Sequence, residues 1–232
     1  MSQSTIPERA VAITAGDVTL HGDLAVPERA AAIVIFAHGS GSSRHSPRNR
    51  FVAAMLQEAG LGTLLMDLLT EAEERVDAAT REHRFDVHLL ASRVRAAADW
   101  LTAASGVHAG RIGLFGASTG AAAALICAAR RRDLIDAVVS RGGRPDLAGE
   151  ALADVAARTL LIVGGADDVV IDLNREALAA LTCEKRLEIV PGATHLFEEP
   201  GALEEVARLT ANWFRRPARW QAPASGARSP TS

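Results

Sequence analysis

The chain has no tyrosine, only two cysteines, no excess of positive charge and no long apolar run. Cys127 and Cys183 stand apart rather than in a CxxC pair, which excludes the usual zinc and dithiol redox motifs. A net charge of -3 provides no basic field of the kind a nucleic-acid partner requires. No stretch approaches the roughly 18 apolar residues of a membrane span. The opening residues MSQSTIPERAVAITAG lack the basic start and apolar run of a secretory signal, so the expectation is a soluble cytoplasmic protein. Aromatics are scarce, and the abundance of alanine and arginine fits a high-GC bacterial genome without pointing to any function. At 232 residues the chain is long enough to bury a core without disulfides or metal, and it fits one domain.

What is present is an alternation of short apolar runs and helical repeats. Val11–Thr14 and Val18–Val26 flank Ala15-Gly16-Asp17, which reads as a hairpin turn. Ala32–Ala37 is continuously apolar, as a strand buried on both faces must be. Helical periods over Phe51–Ala59, Phe85–Ala103, Thr119–Arg130, Asp172–Leu181 and Leu203–Phe214 alternate with later strands at Gly62–Met66, Arg111–Phe115, Ala137–Val139, Thr159–Val163 and Leu187–Val190. Residues 70–84 are charged and read as surface. The pattern predicts an α/β fold, a mostly parallel sheet of about eight strands with helices on both faces. Residues 1–9 read as a flexible N-terminus, 10–215 as the domain, and 216–232 as a disordered tail rich in Pro, Ser, Ala and Arg.

Gly116-Ala117-Ser118-Thr119-Gly120 is a GxSxG pentapeptide lying between a predicted strand and a predicted helix. A turn that tight needs glycine at its flanks, and it lifts the serine hydroxyl off the sheet edge beside a helix N-terminus, where negative charge is favoured. A serine hydroxyl is a weak nucleophile and needs a base, which in turn needs an acid to orient it. The acid candidates follow the Thr159–Val163 strand in Gly164-Gly165-Ala166-Asp167-Asp168. Asp167 is favoured for its spacing of three from Gly164, and Asp168 is the alternative. The base candidate, His195, follows the last strand. Three strand ends then converge on the crevice where open α/β sheets bind ligands. Backbone amides of Thr119, just after the serine, and of Ser40, in the small loop 38–43, are the expected oxyanion donors.

These motifs (HGSGSS at 38–43, GASTG at 116–120, GGADDVV at 164–170 and GATHLF at 192–197) resemble the α/β-hydrolase superfamily, most closely its dienelactone-hydrolase-like branch, over roughly residues 10–215. The resemblance implies an esterase-type hydrolase without metal or cofactor, acting on a small-molecule ester, thioester or lactone through Ser118, Asp167 and His195. Dienelactone hydrolases proper use cysteine where this chain has Ser118, so dienelactone itself is not implied as substrate. The segment is also similar to hydrolase domains attached to phosphoribosyltransferases in some bacteria, although no phosphoribosyltransferase signature is present.

Arg141 and Arg144, after the Ala137–Val139 strand, could grip an anionic group of the substrate. The plainer reading is that these arginines are solvated, or pair with Asp146 and the acidic 71–77 segment. The insert after Asp146 is too short for a large cap domain. Two rival functions share the fold: a non-catalytic binding or partner module, and an enzyme catalysing acyl transfer or carbon–carbon cleavage.

Overall fold

The computed structural model describes residues 6–104 and 111–217. Its centre is an eight-stranded sheet in the order β1-β2-β4-β3-β5-β6-β7-β8. Strands β1 (Glu8–Ala15) and β2 (Val18–Ala25) form an antiparallel hairpin, turned at Gly16 with φ 67°. Near the turn the hairpin alternates, with Ile13, Ala15, Leu20 and Gly22 buried and Ala12, Thr14, Thr19 and His21 exposed. Strands β3 (Ile33–Ala37), β4 (Gly62–Met66), β5 (Ile112–Ala117), β6 (Ile135–Arg141), β7 (Arg158–Gly164) and β8 (Lys185–Val190) run parallel to one another. β3, β4, β5 and β7 are buried along their whole length, which explains their mainly apolar sequences, broken only by Thr63 in β4 and Arg158 and Thr159 in β7.

Helices cover both faces. On one side α3 (Val87–Ala103), α4 (Thr119–Arg130), a 3-10 segment (Pro145–Asp154) and α5 (Asp168–Ala180) close over Ile35, Leu64, Leu114 and Val138. On the other, α1 (Pro47–Glu58) and α6 (Ala202–Arg215) cover Phe36, Phe115, Val139 and Ile162. Phe36 and Phe115 meet there at 4.8 Å between ring centroids, a pairing that contributes about 1 kcal/mol beyond burial. Helix α4 is buried from Thr119 to Ala128, and the small side chains of its first half, Gly120 to Ala124, let it start close against the sheet. Cys127 lies within it, where burial pushes the thiol up to about 12.

Several boundaries move from the sequence expectation. Glu8 and Arg9, expected in the flexible N-terminus, begin β1. Arg216 and Pro217, expected in the tail, are tied down: the Arg216 carbonyl accepts from Arg111 at 2.6 Å, and its guanidinium lies 4.8 Å over the Trp213 ring. Residues 1–5 and 218–232 of those two expected segments lie outside the described residues. Helix α1 starts four residues early because Ser46 caps it and Pro47 supplies a preset φ. The charged 70–84 stretch contains a helix, α2 (Glu71–Thr80), closed by a capping box between Thr70 and Glu73. Phe85 is not part of the α3 repeat, which begins only after the Asp86 cap, and it stands 58% exposed.

Strand order reverses between β3 and β5: the chain leaves β3 toward β4 on one side and β5 toward β6 on the other. The loops at the C-terminal ends of these two strands part there, opening the crevice in which this kind of sheet holds ligands.

Candidate active site

Ser118 occupies the single residue between β5 and α4, at that switch point. Its backbone is at φ 51° and ψ -123°, a left-handed conformation that costs a serine about 1–3 kcal/mol. Neighbouring backbone enforces it. A Cβ on Gly116 would lie 2.4 Å from the Ala121 Cα, and one on Gly120 would lie 2.2 Å from the Ala37 carbonyl oxygen. The flanking glycines are therefore set by close approach of α4 to β5 and β3. The loop after β6 holds the turn from the other side. The Ser118 amide donates to the Arg141 carbonyl at 3.4 Å, and the Arg144 amide donates to the Ser118 carbonyl at 3.0 Å.

The loop after β3 lies against this serine. A Cβ on Gly39 would be 2.9 Å from the Ser118 Cβ. His38, just before it, is buried and satisfied at both ring nitrogens: Nδ1–H donates to the Gly39 carbonyl at 2.9 Å, and Nε2 accepts from the Leu68 amide at 3.1 Å. That arrangement needs the neutral ring, and burial holds its pKa below the ordinary histidine range despite the Gly39 hydrogen bond and nearby Asp67. The Ser40 and Thr119 hydroxyls are hydrogen-bonded at 3.0 Å, joining the loop to the first turn of α4. No group among the described residues accepts from the main-chain amides of Ser40 or Thr119. Both are free to meet charge developing beside Ser118.

A second layer braces this loop, built from residues that periodicity does not single out. Asp77 is the one buried residue of α2, and it accepts from the amides of His83 at 2.8 Å and Arg84 at 2.9 Å and from Arg84 Nε at 2.6 Å. Burial alone would raise its carboxyl, but these bonds outweigh it and hold the group below the usual range. The Arg84 carbonyl so fixed accepts from the Ser40 hydroxyl at 3.3 Å. Farther along, Arg44 is paired to Asp67 through both its amide and its guanidinium. The Thr70/Glu73 capping box is the sequence signal that would have found α2 and, through it, Asp77.

The loops that carry Asp167 and His195 are laced together at the ends of β7 and β8. Gly165 and Ala166 amides donate to the carbonyls of Val190 at 2.8 Å and Ala193 at 2.9 Å. At Gly164 a Cβ would sit 2.4 Å from the Ala193 oxygen, so only glycine lets the two loops pack. Asp167 emerges half-buried as the residue before α5, and His195 Nδ1–H donates to its Oδ2 at 2.7 Å. Asp168, the first residue of α5, is exposed. The bond leaves His195 Nε2 as the basic nitrogen of the ring. Gly142 lies between serine and histidine: it follows the carbonyl that receives the Ser118 amide, and a Cβ there would be 3.6 Å from the His195 Cε1.

The two arginines of this strand end behave differently. Arg144 closes a two-point ion pair on Asp146, with Nε and Nη2 bonds of 2.9 and 2.8 Å. The hydrogen bond to Asp146 also raises its pKa. Arg141 is the last residue of β6 and is buried, with its guanidinium 5.9 Å from the Phe197 ring centroid. His83 sits in the turn after α2, and His88 is exposed on α3. A cavity of about 680 Å³ opens along the 38–43 loop toward Leu68, Leu69, Ala78 and Leu90, large enough for a small organic substrate. Among the described residues no cluster of His, Cys, Asp or Glu is arranged to hold a metal ion, and no helix is long and apolar enough to cross a membrane.

A parallel sheet with its serine turn at the switch point is the architecture of the α/β-hydrolases. Within that class the chain belongs to the dienelactone hydrolase family, whose model matches residues 20–222. A crystal structure of dienelactone hydrolase from Anabaena variabilis superposes with a TM-score of 0.89 at 58% identity, covering 90% of this chain and 97% of that one. The "Putative phosphoribosyl transferase" of Mycobacterium tuberculosis (strain ATCC 25618 / H37Rv) is 56% identical over 204 residues, 88% of this chain and 45% of its own length. The chain spans about half the length of the curated relatives it matches so closely. A dienelactone hydrolase-like promiscuous phosphotriesterase from metagenomic libraries, at 19% identity and a TM-score of 0.73 over 90% of this chain and 97% of that one, shares the fold. The family match therefore covers most of this chain, within a segment that makes up about half of those relatives.

Proposed function

We propose that the chain hydrolyses a small ester, thioester or lactone through an acyl-enzyme on Ser118, with His195 as base and Asp167 as its orienting acid. The observation that carries this reading is the 2.7 Å hydrogen bond from His195 to Asp167, on loops that meet beside a serine held at positive φ. In the first step His195 Nε2 takes the Ser118 proton as Oγ attacks the carbonyl carbon. The carbonyl oxygen becomes an oxyanion and accepts from the Ser40 and Thr119 amides, each such donor contributing about 3 kcal/mol to the barrier reduction. The imidazolium, stabilised by Asp167, then hands its proton to the departing alkoxide or thiolate. Water, deprotonated by His195, attacks the acyl-enzyme, and collapse of the second tetrahedral intermediate returns Ser118 with its proton.

The short segment after β6, which builds no cap domain over the strand ends, favours compact substrates over long lipids. The decisive experiment is intact-mass labelling with a fluorophosphonate, wild type beside Ser118→Ala, with p-nitrophenyl acetate turnover in parallel. One adduct and measurable turnover, both lost in the variant, is the expected result. A folded wild-type protein that takes no adduct and turns over no ester would overturn the reading in favour of a binding module.

A further inference from the structure

Asn174 lies on the inner face of α5 and is completely buried. Its side-chain N–H group donates twice, to the Val170 carbonyl one turn back in the same helix at 2.8 Å and to the Gly143 carbonyl at 3.0 Å. Two carbonyl acceptors fix the orientation of the amide, because its oxygen in that place would face both of them. The arrangement leaves Oδ1 shut off from solvent, with no partner among the described residues. The bond to Val170 does not need an asparagine, since a threonine hydroxyl on a helix bonds the same i-4 carbonyl. The bond to Gly143 does, because it reaches out of the helix to another element.

Gly143 belongs to the stretch 141–144, whose main chain meets the serine turn and the histidine loop. The Arg141 carbonyl accepts from the Ser118 amide, and the Arg144 amide donates to the Ser118 carbonyl. Gly142 donates to the Ile162 carbonyl of β7 at 2.8 Å and packs against the main chain of His195, whose oxygen would lie 3.0 Å from a Cβ there. Gly143 itself lies against Ala121, just inside α4, whose Cβ would be 2.5 Å from its own. The remaining member of the site, Asp167, stands at the head of α5, two turns before Asn174 and on the same face of the helix. The Ile171 amide ties the Asp167 carbonyl to that helix at 2.9 Å. Among the described residues, the Asn174–Gly143 bond is the one hydrogen bond between α5 and the stretch 141–144.

We propose that Asn174 is a positioning residue for the reaction: by holding the Gly143 carbonyl it sets the head of α5, and with it the Asp167–His195 pair, at working distance from Ser118. The proposal rests on the ester-hydrolase reading, in which His195 must reach the Ser118 hydroxyl while bonded to Asp167. Asn174 makes no hydrogen bond to a triad side chain and acts through the backbone of residues 142–144. Its leverage is geometric. A reacting group misplaced by about 1 Å loses on the order of 100-fold in rate, so one buried bond between the two halves of the site is enough to be felt.

The test uses three variants. Asn174→Thr keeps the bond to Val170 and removes the one to Gly143, and Asn174→Ala removes both. Assayed on p-nitrophenyl acetate well below their unfolding temperatures, both should lose about 10- to 100-fold in kcat with KM within about threefold of wild type. The threonine variant covers the case of an alanine variant too unstable to assay. Asn174→Asp gives a readout that a purely structural part would not move. Burial raises the pKa of the introduced carboxyl. While protonated its O–H donates to Gly143, and once ionised it repels that carbonyl. The kcat of this variant should therefore fall as pH rises through that ionisation, an alkaline limb that wild type lacks. A folded Asn174→Thr with wild-type kcat, a loss expressed in KM alone, or an Asn174→Asp profile of wild-type shape would overturn the proposal. Fluorophosphonate labelling separates the two readings: a wild type that takes no adduct ends the ester-hydrolase reading, whereas equal labelling rates in wild type and Asn174→Thr end only this one.

Discussion

The hydroxyls of Ser40 and Thr119, 79 residues apart in the chain, are hydrogen-bonded at 3.0 Å. The bond fixes the distance between two loops whose amides are proposed to act together. The amides, not the hydroxyls, are the donors in that proposal. Ser40→Ala should therefore cost less than about tenfold in kcat, whereas Ser40→Pro, which removes the N–H, should cost about 100- to 1000-fold. Steady-state kinetics on p-nitrophenyl acetate decides it: equal losses in the two variants would mean that the hydroxyl matters and the amide does not.

Adjacent aspartates offer an internal control for the acid. Asp167 accepts from His195, while Asp168 is exposed at the start of α5. Asp167→Asn should lower kcat by about 10⁴-fold by favouring the wrong tautomer of the base, and Asp168→Asn should stay within a few-fold. A reversed order would move the orienting role to Asp168.

His38 makes stability depend on pH. In the folded chain it is held neutral by burial, with a pKa below the ordinary value, while in the unfolded chain it protonates near pH 6.5. Below that pH the unfolded state binds the extra proton, so stability falls as pH drops from about 6.5 toward the folded pKa and then levels off. Urea midpoints at pH 7.5 and 5.5 should differ more in wild type than in His38→Gln. Identical pH dependence in the two would show that the imidazole is not linked to folding.

Asp77 joins α2 to the 38–43 loop through Arg84. Asp77→Ala leaves two amides and the Arg84 Nε–H without their acceptor, and should destabilise by about 2–3 kcal/mol. Thermal unfolding should show the drop, and kcat on a neutral ester should fall with KM little changed, because the Ser40 side chain loses its fixed partner. Unchanged kcat in a destabilised variant would confine Asp77 to a structural role.

The parallel strands and the strand-end positions of Ser118, Asp167 and His195 are legible because each depends on local sequence: apolar runs, a glycine-bounded serine, loops just past strand ends. Helix α2 is not legible from periodicity, since its buried face consists of Asp77 alone and offers no apolar stripe. The difference between Arg141 and Arg144 is hidden for another reason. In sequence they look equivalent, three residues apart around two glycines. β6 runs two residues past the apolar core of Ala137–Val139, which turns Arg141 inward with the strand's buried face. Arg144 falls in the turn beyond, within reach of Asp146. A strand's exact end is a tertiary property, fixed here by pairing of Arg141 with both Ala117 and Ile162.

Among the described residues the outermost strands, β1 and β8, are each paired on one side only. Their free rims carry charge: Glu8 and Arg9 at the start of one, Lys185, Arg186 and Glu188 along the other. An incoming strand would have to desolvate these groups, so the rims resist the edge-to-edge stacking that leads to fibrils and swapped dimers. Association with a second protein, or with a neighbouring domain of a longer chain, is thereby steered to helical and loop surfaces, leaving the sheet's registry undisturbed.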